Sequence, residues 1–288
     1  MNDQKGKSLS LSKRRRVLIG EPGIDKEPNM GWKKLLKSAS TSCHLYGPLK
    51  RIHRQLLDDA AQQQFRSNVA LYARFLSPGD LCFDVGSNIG EKTEALLALG
   101  ARVVAFEPQP SSFREMRARC SPSRRLTAIN AAVGAAPGEV PMYISSRSGA
   151  SSLVSNWAQD VQDVILVPVT TLDQAIARYG LPSFCKIDVE GYELEVLKGL
   201  SHPLPCISIE YHHTKEDVQK IFDCVDYLSQ FGELSMNVTL GEEARFDWPS
   251  WIAYDSFRDY FPSRAPRSPT CGYGDLFVRI RSTSQRST

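Results

Sequence analysis

Short apolar runs alternate along this chain with stretches whose apolar positions recur every three or four residues. Pro78-Gly79-Asp80 is a turn, and Leu81-Cys82-Phe83-Asp84-Val85 behind it reads as a buried strand. A helical pattern over Glu91–Leu99 stops at Gly100, a residue suited to a C-cap. Arg102–Glu107 is a second strand with Pro108 right behind it, followed by a helix over Pro110–Arg119 and a third strand over Leu126–Asn130. The small residues Ala131-Ala132-Val133-Gly134 then close that third strand. Residues 135–170 leave the plain alternation: Val140–Ser145 and Val164–Val169 are strand-like and flank Gly149-Ala150-Ser151-Ser152-Leu153. This reads as an excursion that brings a serine-rich loop towards a pocket mouth, the plainer alternative being a surface loop.

Regular alternation then resumes. Thr170 or Thr171 caps a helix reaching Tyr179, and Gly180-Leu181-Pro182 breaks it. Phe184–Asp188 is a fourth buried strand; Val189–Gly199 leads into and forms a helix; Cys206–Glu210 is a fifth strand. A long helix begins at Thr214 and runs to about Phe231, with Val218, Ile221, Phe222, Val225 and Leu228 on its apolar face. Two last strands, Glu233–Leu240 and Asp275–Ile280, flank an aromatic-rich insertion at Phe246–Trp251 and Tyr254–Phe261. Alternating strands and helices predict an α/β fold, a Rossmann-like doubly wound sheet that binds ligands at the carboxyl ends of its strands. Four acids, Asp84, Glu107, Asp188 and Glu210, fall on that edge.

Four segments follow from this pattern: a disordered basic arm over 1–30, a helical lead-in over 31–78, the α/β domain over 79–282, and a tail over 283–288. The lead-in holds helical stretches around Trp32–Ser38 and Arg54–Leu76. Composition is that of an ordinary soluble globular protein, with 23% charged and 42% apolar residues. No apolar run approaches the roughly 18 residues of a spanning helix, and Val17-Leu18-Ile19-Gly20 after Lys13-Arg14-Arg15-Arg16 is too short for a signal-peptide core. Seven cysteines stand singly, without a Cys-x-x-Cys pair, which predicts buried thiols in a reducing, cytoplasmic setting. The formal charge of +3 conceals an asymmetry, because fourteen basic side chains face six acidic ones through Arg66. Such an arm is a solvated leader or a peripheral contact for anionic surfaces. It lacks the interleaved aromatics of a nucleic-acid binder.

The chemistry is densest between Asp84 and Gly90. A tight strand-to-helix turn needs glycine, which also lets the backbone approach a ligand, and the helix start favours a negative group. Asp84 can accept hydrogen bonds or face a cation. An acid about 20 residues beyond such a turn, here Glu107, is placed to bond ribose hydroxyls. A nicotinamide site needs Gly-x-Gly-x-x-Gly, whereas this loop reads Asp-x-Gly-x-x-x-Gly. An ordinary βα turn is the alternative for the loop taken alone.

Together, Asp84-Val85-Gly86-Ser87-Asn88-Ile89-Gly90, Ala105-Phe106-Glu107-Pro108, Ala132-Val133-Gly134, Ser151-Ser152-Leu153 and Lys186-Ile187-Asp188-Val189-Glu190-Gly191-Tyr192-Glu193 resemble the FkbM family of methyltransferases over roughly residues 80–215. The Lys-Ile-Asp-Val-Glu-Gly block is the most discriminating piece. Alanine commonly stands in the family where this chain has Ser87. The resemblance implies a seven-stranded, mostly parallel sheet with an antiparallel last strand, S-adenosyl-L-methionine (SAM) as cofactor, and O-methylation of a sugar, glycan or secondary-metabolite hydroxyl. The candidate cofactor residues are then Asp84, Gly86, Ser87, Asn88, Gly90 and Thr93 on the first loop and helix. Glu107, Pro108, Ala131, Ser152 and Asp188 complete the set, with Glu107 on the ribose and Gly86 beside the amino-acid part of the donor.

A hydroxyl acceptor must lose a proton. His212, just past the fifth strand, is the favoured base, since imidazole ordinarily titrates at about 6.5; a surface pair with His213 is the plain alternative. Asp188 and Glu190 offer a second route, as a carboxylate base or as ion ligands, but two acids two residues apart are thin grounds for a metal and none is expected. Glu190 could equally serve structurally, accepting bonds from a helix N-terminus. Two other classes stay open: a non-catalytic SAM-binding module, and a nucleic-acid methyltransferase anchored by the arm. The intact acids count against the first. Against the second, Asp188-Val189-Glu190-Gly191 stands where an Asn-Pro-Pro-Tyr stretch would be needed.

Overall fold

The computed structural model describes residues 46–147, 149–157, 160–212, 214–263 and 272–281. The basic arm, the expected helix at Trp32–Ser38, His213 and the tail lie outside the described residues. The chain forms two compact units, residues 1–57 and 58–288, and the described part of the first is the opening of one helix. In chain order the elements are α1 (Tyr46–Tyr72), β1 (Leu81–Val85), α2 (Glu91–Ala98), β2 (Arg102–Phe106), α3 (Pro110–Arg119), β3 (Leu126–Ile129) and β4 (Ala132–Val133). They continue with β5 (Gly138–Ser145), β6 (Val161–Thr170), α4 (Leu172–Tyr179), β7 (Phe184–Ile187), α5 (Glu193–Lys198) and β8 (Cys206–His212). The last are α6 (Lys215–Ser229), β9 (Glu233–Val238), β10 (Ile252–Ala253), α7 (Tyr254–Tyr260) and β11 (Tyr273–Arg281).

The main sheet runs β10-β9-β11-β8-β7-β1-β2-β3. The neighbours β1, β2, β3, β7 and β8 pair in parallel, and β11 lies antiparallel between β8 and β9. Seven of these strands are the expected set. The eighth, β10, is a two-residue edge from the aromatic insertion, too short to show a period of its own.

Strand β1 is buried along its whole length because both faces are covered, and the period of two divides its side chains. Leu81, Phe83 and Val85 join Val104 and Phe106 in a core with α4, α5 and α6. Cys82, Val103 and Ala105 face the opposite layer with Leu71, Tyr72, Leu96 and Met116. Phe75, just past α1, packs against both Phe184 at 5.2 Å and Phe277 at 5.1 Å, which seats the end of the lead-in on the sheet. The five described cysteines are free and buried.

One strand was misplaced. The main sheet loses the chain at Ile129, and Ala132–Val133 pairs instead with Val169–Thr170. Strands β4, β6 and β5 make a separate three-stranded sheet, with β5 and β6 as an antiparallel hairpin. Its arms hold the serine-rich loop, since Tyr143 and Ser152 exchange backbone bonds of 2.8 and 3.1 Å. At α4 the choice of cap resolves to Thr171, whose hydroxyl accepts from the Gln174 N–H at 3.1 Å.

Candidate active site

The loop from β1 to α2 is fastened on both sides. The N–H groups of Gly86 and Ser87 both donate to the Phe106 carbonyl at 3.0 Å. Glu107 holds the next turn, one carboxylate oxygen accepting from Asn88 N–H and the other from Gln109 N–H, each at 2.8 Å. Gly86 has φ of +82°, and a Cβ there would stand 1.7 Å from the Asp188 carbonyl oxygen, so only glycine lets the loop meet the end of β7. Asp84 lies fully buried below; Thr93 donates to it at 2.5 Å, and its other oxygen has no partner among the described residues. Burial pushes both Asp84 and Glu107 upward, Glu107 to about 7, with the backbone bonds opposing the shift.

At the ends of β7 and β8 the register places Lys186 beside Ser208, which brings Asp188 and Glu210 together. Lys186 is 1% exposed and donates to Asp188 at 2.6 Å. Burial alone would raise the Asp188 carboxyl, but Lys186 and a bond with Glu210 hold it below the ordinary range. Glu210 moves the other way, pushed up by burial and by the neighbouring Asp188 charge.

Glu190 adopts the left-handed region, with φ of +55°. It does not serve the helix N-terminus. The turn ahead of α5 is fastened by Glu193, which accepts from Gly191 N–H at 3.0 Å and Val189 N–H at 3.3 Å. Glu190 instead accepts from the Trp157 indole N–H at 2.8 Å, and its carbonyl accepts from the Ser152 hydroxyl at 2.6 Å. Burial and then Asp188 push the Glu190 carboxyl up to about 7.

These groups surround a cavity of about 220 Å³ at the carboxyl edge of the sheet. Of the expected cofactor residues, Gly86, Ser87, Asn88, Glu107, Pro108, Ala131, Ser152 and Asp188 line it. Asp84, Gly90 and Thr93 do not: Asp84 and Thr93 are bonded to each other under the loop, and Gly90 packs towards Met116. Glu190 lines the cavity, whereas His212 lines a smaller one of about 50 Å³ behind it, and Glu210 lines both. One ligand atom each from Glu190, Glu210 and His212 lies within 4.8 Å of the others. Sequence reasoning placed Glu210 on the edge without giving it a task. It gave none to Lys186, Lys92 or Glu242, which also line the cavity, nor to Trp157, whose ring stands 5.3 Å from that of His212.

The pattern of the methyltransferase FkbM domain matches residues 84–246. The hexuronic acid methyltransferase AglP of Haloferax volcanii is 33% identical over 148 residues, covering 46% of this chain; the chain spans 56% of that relative's length. Among solved structures, a precorrin-6y C5,15-methyltransferase from Geobacter metallireducens superposes at 12% identity with a TM-score of 0.37, covering 76% of this chain and 87% of the other. An rRNA methylase from Streptococcus thermophilus gives 12% and 0.39, over 74% and 93%. The match over more than half of the chain, on a sheet with its last strand antiparallel, makes this protein a member of the FkbM methyltransferase family.

Proposed function

We propose that this chain transfers a methyl group from SAM to a hydroxyl of a sugar or glycan, with a uronic acid as the first acceptor to try. The support for the acceptor is the likeness to the hexuronic acid enzyme. The observation that carries the donor reading is Glu107: a carboxylate at the end of β2, fixed by two backbone bonds and lining the cavity beside the Gly86 turn. Its remaining lone pairs suit a pair of ribose hydroxyls, and Ala131 and Pro108 offer a flat apolar wall beside it. The residues fit the cofactor in a second respect. Asp188, kept ionised by Lys186, faces the cavity where a cationic donor needs a counter-charge.

When bound, SAM supplies the methyl group on an electrophilic sulfur. The chain's part is alignment and activation. Gly86 lets the loop close onto the end of β7 at the cavity wall, Glu107 fixes the donor's ribose, and Asp188 orients the acceptor. The acceptor hydroxyl is activated at Glu190, Glu210 and His212, so the residues expected to be catalytic keep their place in the reading, joined by Glu210. Among the described residues no helix is long and apolar enough to cross a membrane, and we place the reaction in the cytoplasm.

Calorimetry tests the donor site. SAM binds, a nicotinamide dinucleotide does not, and Glu107→Ala weakens SAM about 10- to 100-fold, the size of a lost charge-assisted bond pair. Because Glu107 also holds Asn88 and Gln109, the variant is less stable, and affinity is to be read at a temperature where it is folded. Unchanged SAM affinity in that variant would sink the reading. Labelled SAM with uronic-acid, neutral-sugar and RNA acceptors then separates a glycan enzyme from a silent SAM binder and from a nucleic-acid enzyme.

A further inference from the structure

We infer that Glu190, Glu210 and His212 form a divalent-cation site at the junction of the donor cavity and the smaller cavity behind it. Glu210 and His212 are two residues apart on β8 and therefore leave the strand on one face. Glu190 reaches the same point from the turn after β7, and one ligand atom from each of the three lies within 4.8 Å of the others. Ligands at about 2.1 Å from a shared ion stand roughly 3 to 4 Å apart, so a closure of about an ångström completes the set.

The side chains are prepared in a way a mere acidic patch is not. Glu190 commits one oxygen to the Trp157 indole N–H and leaves the other for the cavity. Glu210 follows Ile209 in the register beside Asp188 and offers a carboxylate oxygen within 4.8 Å of the Glu190 and His212 ligand atoms. The indole bond to Glu190 is an outer contact of the kind that orients a metal ligand. The His212 ring is set edge-on to Trp157 at 5.3 Å and makes no hydrogen bond with other described residues, so a ring nitrogen stands ready to ligate. The nearby cations are already committed: Lys186 is bonded to Asp188, and Lys220, which lines the smaller cavity, is paired with Asp217. Two carboxylates and one imidazole suit a first-row ion such as Mn²⁺ better than Ca²⁺, which prefers oxygen alone.

Glu190 and Glu210 both line the donor cavity, so an ion held there would take the acceptor's hydroxyl oxygen and lower its pKa; the proton would pass to solvent water as the oxygen bonds the methyl carbon and S-adenosylhomocysteine leaves. His212 then acts through the ion and not as a free base. That role rests on the proposed methyl transfer; the binding of the ion does not.

The experiment is Mn²⁺ titration of the EDTA-treated full-length protein, with free Mn²⁺ followed by electron paramagnetic resonance. One Mn²⁺ per chain is expected. Glu210→Gln and His212→Ala each weaken it at least tenfold, and Glu190→Gln does so while keeping an acceptor for Trp157. Asp173→Asn, at the exposed Asp173–His202 pair, leaves the affinity unchanged. Absence of binding, or equal binding by wild type and all three site variants, overturns the site. Labelled-methyl transfer supplies the second arm: EDTA should abolish it and Mn²⁺ restore it. Mn²⁺ bound at the site with transfer indifferent to EDTA overturns the activating role. Binding at the site with no transfer to any acceptor tells against the proposed reaction and leaves the site standing.

Discussion

Glu107 shows how one side chain is read twice. Its position about 20 residues after the glycine turn was visible in the sequence, and so was its use towards ribose. Its second use was not. The same carboxylate fixes Asn88 and Gln109 from 5% exposure, which is why burial lifts it to about 7 from the ordinary 4.5. In the cofactor-free protein the folded state therefore binds more protons than the unfolded chain between about pH 4.5 and 7. Stability due to this group is greatest below pH 4.5 and falls as pH rises through 7. Glu107→Gln removes the titration, so the difference in unfolding free energy between wild type and variant should drift against the wild type over that window. The upper bound is about 3 kcal/mol for a shift of this size. Denaturation curves of both proteins at pH 5 and 8 check it; a difference independent of pH would mean that Glu107 is ionised throughout.

The element scale is governed by how loops meet strand ends. Gly86 and Gly79 both have positive φ, +82° and +93°, yet a Cβ at Gly79 would meet nothing within 4 Å while one at Gly86 would strike the Asp188 carbonyl. Gly79→Ala should cost only the backbone penalty of about 1–2 kcal/mol. Gly86→Ala must also push the β1 loop off β7, and should cost more than about 3 kcal/mol and remove measurable SAM binding. Equal costs in chemical denaturation would mean the loop yields easily. This contrast marks what the sequence could tell. The apolar runs of β1, β2 and β7 and the acids behind them were legible because a strand buried on both faces leaves an unbroken apolar signature. The break at Asn130 was hidden, since two residues of β4 carry no period and their partner, β6, lies more than 30 residues on. Trp157 was hidden for a similar reason: its meaning comes from Glu190, 33 residues away. The acid of the Val-Glu-Gly turn was legible as an acid, but which carboxylate would fasten the turn and which would face the cavity was decided by a left-handed residue and a tryptophan.

At the scale of the whole molecule, the wall of the donor cavity draws on distant parts of residues 58–288. Glu242 lines the cavity, pairs with Lys92 of α2 and accepts from Gln64 of α1 at 2.7 Å, while its carbonyl accepts from Ser67 at 3.1 Å. The ion pair is partly exposed and adds at most about 1 kcal/mol; its effect is to tie the loop after β9 to the end of the lead-in helix. Among the described residues, the cavity lining begins at Val85. Residues 1–28 hold seven basic and four acidic side chains, the whole formal charge of +3, so a chain without them is formally neutral. The expected SAM residues, from Asp84 to Asp188, all lie outside this segment, and charge beyond a Debye length of about 8 Å is screened at physiological salt. Removing residues 1–28 should therefore leave SAM affinity unchanged at 0.15 M salt, within about twofold. The truncated chain should also be less soluble near neutral pH, where its net charge approaches zero. Calorimetry on both chains checks the first outcome and turbidity against concentration the second. Loss of SAM binding on truncation would mean that the arm supplies part of the donor site, and the cavity built from β1, β2 and β7 would then be incomplete without it.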